Sequence, residues 1–239
     1  MRGDTGPNLC YFWCGRPFRV PVDPLSRHAR GRRRIRPLTA SADPRKTARM
    51  EEKSYTTPPS NGALRIALAK DLDTTVIWRD WILPRIGPIP PHVLDICQYG
   101  LDGILRNAID HSEGTWIILE VQQAAQSIEM RLSDDGVGVF QKIRSFFDFA
   151  DDQQAVLELS KGKLTTDHAR HSGEGLFFVS RAFDVFEICS DRVLFRHDTR
   201  RQRWHLEPAN DCPRGTRVTL VIAVNSQRKL QDIFDRFTS

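Results

Sequence analysis

Tyr99-Gly-Leu-Asp-Gly-Ile-Leu-Arg-Asn-Ala-Ile-Asp-His-Ser112 reads as the second half of a helix. Leu101, Ile104, Leu105 and Ala108 recur at helical spacing and make one apolar face. Asn107, Asp110 and His111 stand at i, i+3 and i+4, so they share a second face. That face carries an amide, a carboxylate and an imidazole. An amide oxygen is a hard, neutral ligand suited to a Mg²⁺ that also holds phosphate oxygens. By itself a polar helix face reads as solvated, but two later stretches change its weight. Ser133-Asp-Asp-Gly-Val-Gly-Val139 sets a carboxylate beside two glycines, and His171-Ser-Gly-Glu-Gly-Leu176 sets two glycines at a helix start. Free N–H groups and the positive end of the helix dipole at such a start suit phosphate oxygens.

Outward from this helix, Pro91 suits its first turn and Ser112-Glu-Gly114 its stop. Ala63–Leu68, Thr115–Val121 and Ser127–Leu132 carry the alternation and β-branched content of strands. Asp73 is placed to cap a helix over Thr74–Leu83, with Val76, Ile77, Trp81 and Ile82 as buried candidates. From Phe140 to Arg170 the pattern is less regular. Ala155–Leu159 looks helical, and Lys161–Arg170 looks like a mobile loop. A helix over Gly175–Phe183 precedes strands at Val185–Cys189, Val193–Phe195, Arg203–Leu206 and Arg217–Ala223. An amphipathic helix over Leu230–Phe237 closes the chain.

The hydrophobic share of 40% suffices for a core, and 239 residues fit one domain or one and a half. No apolar run is long enough to cross a membrane and no secretory signal is visible, which predicts a soluble, cytoplasmic protein without a membrane partner. Five cysteines, at 10, 14, 97, 189 and 212, predict reduced thiols rather than a disulfide framework. The net charge of +5 divides unevenly. Residues 1–50 hold eleven Arg and one Lys against three Asp, a net of +9, while 51–239 hold 23 basic and 27 acidic residues, a net of −4. The folded part is therefore mildly acidic and does not look like a nucleic-acid binder. Residues 1–57 are rich in Arg and Pro and lack periodicity. They read as a disordered arm, as a basic arm touching nucleic acid or anionic surfaces, or as an upstream extension with Met50 as the true start; an organelle transit peptide is a minor fourth reading. The folded domain is placed at 58–239.

Four segments together resemble the GHKL (Bergerat-fold) ATP-binding superfamily. Asn107 matches the N box, Asp134-x-Gly136-x-Gly138 the first glycine box, Gly173-x-Gly175-Leu176 the second, and Arg214-Gly-Thr-Arg-Val-Thr-Leu220 the closing Gly-Thr strand. The likeness covers Leu64 to Ser239. It implies a two-layer α/β sandwich, with a mixed, largely antiparallel sheet and helices on one face. It implies ATP and Mg²⁺ as ligands, Asn107 at the metal, and Asp134 accepting from the exocyclic amine of adenine. Asp135 competes for that last role but lacks the box spacing. Gly136, Gly138, Gly173, Gly175, Leu176 and Thr216 complete the implied nucleotide site, and the basic segment from Lys161 to Ser172 resembles its lid.

One position departs from the pattern. ATPases of the superfamily carry a glutamate base four residues before the N-box asparagine, and here that residue is Gly103. Asp102 is adjacent but turned about 100° away on the helix. Asp110 and His111 share the asparagine's face and are the weak catalytic candidates. The chain also lacks the acceptor-histidine helix of a sensor kinase. It is closest to stand-alone members of the group that are often fused to a STAS-like domain. The expected function is an Mg-ATP-binding regulatory module with weak or no hydrolysis, signalling to a STAS-like or transcription-regulator partner. The alternatives are a serine/threonine protein kinase of the anti-sigma type and a degenerate interaction domain that binds no nucleotide.

Overall fold

The computed structural model describes residues 62–162 and 174–238, together with the backbone of three two-residue strands at Tyr11–Phe12, Arg16–Pro17 and Tyr55–Thr56. The expectations for the basic arm, Cys10, Cys14, the Met50 start, Gly173 and most of the lid lie outside the described residues. In chain order the domain runs β1 (Ala63–Ala67), α1 (Thr74–Ile77, continued by a wider turn over Trp78–Ile82 and a tighter one over Leu83–Arg85), α2 (Pro91–His111), β2 (Trp116–Gln123) and β3 (Ser127–Asp134). Next come α3 (Val139–Phe147), α4 (Asp152–Lys161), α5 (Gly175–Ala182), β4 (Val185–Ser190), β5 (Val193–Asp198), β6 (Arg203–Pro208), β7 (Thr216–Ala223) and α6 (Leu230–Thr238).

The seven strands form one α/β sheet in the order β1-β2-β3-β7-β4-β5-β6, with Tyr55–Thr56 beyond β1. Every described pair is antiparallel, so no parallel pairing of the kind a mixed sheet has is seen among them. The alternation of β3 shows why the sheet has two unlike faces. Ile128, Met130, Leu132 and Asp134 are buried under the helices, while Glu129 and Arg131 face the other way. That open face carries cross-strand ion pairs, Arg131 with Glu120 and Arg196 with Glu187. The helical layer is centred on α2, whose Val93, Ile96, Cys97, Leu101, Ile104 and Leu105 are 0–1% exposed. At about 1.5–3 kcal/mol per large apolar side chain, this one helix face is a major share of the folding energy. No helix among the described residues is long and apolar enough to cross a membrane.

Two expectations are corrected. The stretch after Phe140 is not irregular. Val139–Phe147 is a helix with Phe140 and Ile143 buried, and its start is held by distant groups rather than by a local cap. Nor are the thiols all reduced. Cys189, at the end of β4, is disulfide-bonded to Cys212 in the loop before β7. The two are 23 residues apart in sequence, but the pairing of β7 with β4 returns the loop to within a 5.2 Å Cα separation. Closing a loop of that length contributes about 3 kcal/mol. Cys97 stays a free thiol, on the buried face of α2, and is pushed up to about 12 by that burial.

A buried carboxylate ties the carboxyl end of the helical layer to the sheet. Asp184 is 6% exposed and accepts from Arg200 (2.8 Å), Arg228 and the Ala223 N–H (2.7 Å). Burial alone raises its proton affinity, but Arg200, the Ala223 N–H and Arg228 together outweigh it and hold the carboxyl below its ordinary 3.8. Its stabilisation is therefore complete above 3.8 and is lost as pH falls through the lower folded value. Asp184→Ala strands Arg228 beside a buried gap and is expected to cost about 3 kcal/mol at pH 7. Urea titrations at pH 7 and pH 3 check this: the gap between wild type and variant should narrow at the acid end.

Candidate functional site

The site begins where β3 runs out. Asp134 is its last residue, 7% exposed, and Oδ1 accepts from the Gly136 N–H (2.9 Å) and the Thr216 N–H (3.2 Å). Both bonds fall on one oxygen. Among the described residues no donor reaches Oδ2. Burial is the largest influence on this carboxyl and raises it above its ordinary value, against the pull of those two N–H groups. Asp135 behaves oppositely. It accepts from Thr115 N (2.8 Å), Thr115 Oγ1 (2.6 Å) and Trp116 N (3.0 Å). Burial pushes it up as well, but those bonds prevail and hold it below its ordinary value. Asp135 thus fastens the start of β2 to the end of β3, and Asp134 is the carboxylate turned to the cleft.

The glycines have packing reasons. A Cβ on Gly136 would overlap the Ser112 carbonyl, which already accepts from the Val137 N–H at 2.9 Å. Gly215 has φ +85°, and a side chain there would meet the Asp134 carbonyl and the Gly136 nitrogen. Gly138 leaves room for the Asp191 carboxylate, which accepts from the Gln141 N–H (3.0 Å) at the first turn of α3. The Val139 N–H is shared between Thr216 Oγ1 (3.0 Å) and Ser190 Oγ (3.2 Å). Two strands, β7 and β4, and the turn that follows β4 therefore cap α3 in place of a local residue.

These segments border a small cleft of about 90 Å³ that opens to solvent. Asn107, Asp134, Gly138, Leu176 and Thr216 all line it, as does His111. Ile104, Leu132, Ile143, Ile188 and Val218 give it apolar walls. Gly136 donates its N–H to Asp134, and Gly175 opens α5 with no side-chain cap among the described residues. Gly173 is outside the described residues, and Asp110 is not among the lining groups.

Asn107 presents an unsatisfied group. Its Nδ2 is buried with no hydrogen-bond partner among the described residues. A buried unpaired donor costs about 1–3 kcal/mol, and an acceptor in the cleft would relieve it. The two amide ends exchange by rotation, so the same side chain can offer an N–H₂ to a phosphate or its oxygen to a cation. Asp102 is engaged elsewhere, accepting from Thr74 Oγ1 (2.6 Å) and Arg106 Nε (2.7 Å). A Cβ on Gly103 would sit 3.2 Å from a Val179 methyl, so α2 and α5 pass close at that point. No carboxylate from this turn of α2 reaches the cleft.

Lys142 is a lining residue that sequence reasoning missed. Its Nζ donates to the His111 carbonyl (2.6 Å) and to Glu113 (2.7 Å) across the rim. The signal was present: Val139, Lys142 and Ile143 share one face once Val139–Phe147 is read as a helix. Among the described residues no group of three or more His, Cys, Asp or Glu could hold a metal, so any cation here would rest on the amide and on its own ligands. A scan against protein-family models finds no match to this chain, and no curated protein matches it.

Proposed function

We propose that the cleft binds a purine nucleotide, ATP with Mg²⁺, and that the chain is a regulatory module with weak or no hydrolysis of its own. The observation that carries this is Asp134: a buried carboxylate with one oxygen held by two backbone N–H groups, at the edge of an apolar-walled cleft. Such a group is an acceptor awaiting a donor, and the exocyclic amine of adenine is one. The unpartnered Asn107 amide supports a phosphate-and-magnesium end of the cleft, with the start of α5, uncapped among the described residues, as a second phosphate-binding element. Asn107 would hold the metal, Gly175 and Leu176 would lie at the phosphates, and Thr216 would fix Asp134. Bound Mg²⁺ would neutralise phosphate charge. The residues of this chain bind and orient; none of Asp102, Gly103 or Asp134 is set to take a proton from water.

That lack favours a second reading, a serine/threonine protein kinase acting on a STAS-like or transcription-regulator partner, because the acceptor would then be a partner side chain. An ATP-dependent role fits a cytoplasmic location, where the Cys189–Cys212 bond would meet reducing thiols. Nucleic acid would be met only through the basic arm.

Calorimetry of the full chain with ATP, with and without Mg²⁺, tests the proposal. Binding that strengthens with Mg²⁺ is the expected result, and heat-silent titrations in both conditions leave the degenerate interaction domain. Asn107→Ala is expected to remove most of the Mg²⁺ dependence and weaken Mg-ATP binding roughly 10- to 100-fold. Incubation with labelled ATP and candidate partners separates the kinase from the passive module.

A further inference from the structure

The far edge of the sheet is unlike the rest of the surface. All six residues of β6 are exposed, and among the described residues no strand pairs with its outer side. At its centre lie two large apolar groups, Trp204 (40% exposed) and Leu206 (41%). They are alternate residues, so both lie on the helical face of the sheet, where Trp204 stacks on His197 at 3.7 Å and on Phe195 at 5.2 Å. The helices stop short of them. The apolar patch continues through Arg181, which stacks on Phe177, to Phe237 at the end of α6. An edge strand with exposed aromatic and aliphatic centres is a template for another strand.

The backbone shows which groups are free. The Ala209 N–H donates to the Arg192 carbonyl at 2.8 Å, so odd positions turn toward β5. In an antiparallel ladder successive residues alternate sides, so Trp204 and Leu206 turn their N–H and C=O groups outward. Pro208, the next outward position, has no N–H to offer. The open segment is therefore two residues' worth of donors and acceptors, bounded by a proline.

Arg203-Trp-His-Leu-Glu207 is self-complementary when laid antiparallel on a copy of itself about His205. Arg203 then faces Glu207 of the second copy, and Trp204 faces its Leu206, each twice by the two-fold axis. In that register Trp204 and Leu206 form the hydrogen-bonded pairs, and all four outward N–H groups find carbonyls. Shifting the strands by two residues loses both ion pairs.

We propose that β6 is an isologous dimer interface in which two copies of this chain pair edge to edge about His205 and continue the sheet across the two-fold axis. Five residues and their neighbouring patch make a small interface, so the dimer is a weak one, monomeric near 1 µM and substantially dimeric near 100 µM. Sedimentation equilibrium of the full chain over that range tests it. Arg203→Glu and Glu207→Arg each place two like-charge pairs across the axis and are expected to weaken association at least tenfold. The double variant R203E/E207R restores the pairing to within about threefold of wild type. The two single variants, each monomeric alone, are expected to form a heterodimer when mixed, because the mixture again sets opposite charges at both contacts. These positions are exposed, and circular dichroism of each variant confirms that the fold is kept. A chain that remains monomeric at about 100 µM overturns the proposal, as does a dimer indifferent to both reversals or a mixture of singles that stays monomeric.

Discussion

Asp134→Asn is expected to weaken ATP binding by roughly 10- to 100-fold while leaving the melting temperature unchanged or higher. The two effects part company because the carboxylate is costly to the empty fold. Burial raises it above its ordinary 3.8 despite the Gly136 and Thr216 N–H groups, so the folded chain holds the proton more tightly than the unfolded one. As pH rises from 3.8 through the raised folded value, this residue subtracts from stability, and at pH 7 its charge is a net burden. Asparagine keeps an oxygen for both N–H groups and discards the charge. Its NH₂ then replaces Oδ2 and would meet the amine of the base donor to donor. Calorimetry with Mg-ATP and thermal denaturation of the empty protein measure the two sides separately. Parallel loss of stability and binding would make Asp134 a turn residue, and retained binding would put the base elsewhere. The opposed response is what a residue kept for a ligand shows, since function is commonly held against stability.

Gly100→Ala should destabilise the protein by about 2 kcal/mol, although alanine favours a helix by about 1 kcal/mol over glycine. A Cβ at Gly100 would overlap the ring of Phe183, which is 0% exposed and sits where α5 gives way to β4. Neither side can yield. The ring is packed on every side, and α2 is held by its own buried face. For a domain of this size the loss corresponds to a melting temperature lower by roughly 4–8 °C. Gly103→Ala is the control on the same helix. Its Cβ would lie 3.2 Å from one Val179 methyl, so the squeeze and the propensity gain are expected nearly to cancel. Thermal denaturation of both variants decides it. Equal behaviour would mean that α2 does not approach Phe183 as closely as described.

The secondary structure was largely legible because its signals are local. Pro91 and Ser112 bound α2 at the predicted ends, and Asp73 caps α1 through Thr75 and Val76 as its residue type predicts. β3 follows from its alternation, and β2 beside it from β-branched and aromatic content. Trp78 was missed as a core residue because the wider turn over Trp78–Ile82 shifts the face that an ordinary helix would bury. The helix after Gly138 was missed for a related reason. Its caps are Thr216, Ser190 and Asp191, 50 to 77 residues away, and no window of sequence contains them.

The motif resemblance read from the sequence was enough to nominate Asn107, Asp134, Leu176 and Thr216, and to mark Gly103 as a departure from its pattern. Tertiary structure alone decided that these line one cleft, that Asp134 rather than Asp135 turns to it, that Lys142 joins them, and that Cys189 reaches Cys212. The division has a physical cause. Helix faces and strand alternation depend on neighbours a few residues away, whereas a carboxylate's free oxygen, a lysine's reach and a disulfide depend on which strands the sheet sets side by side.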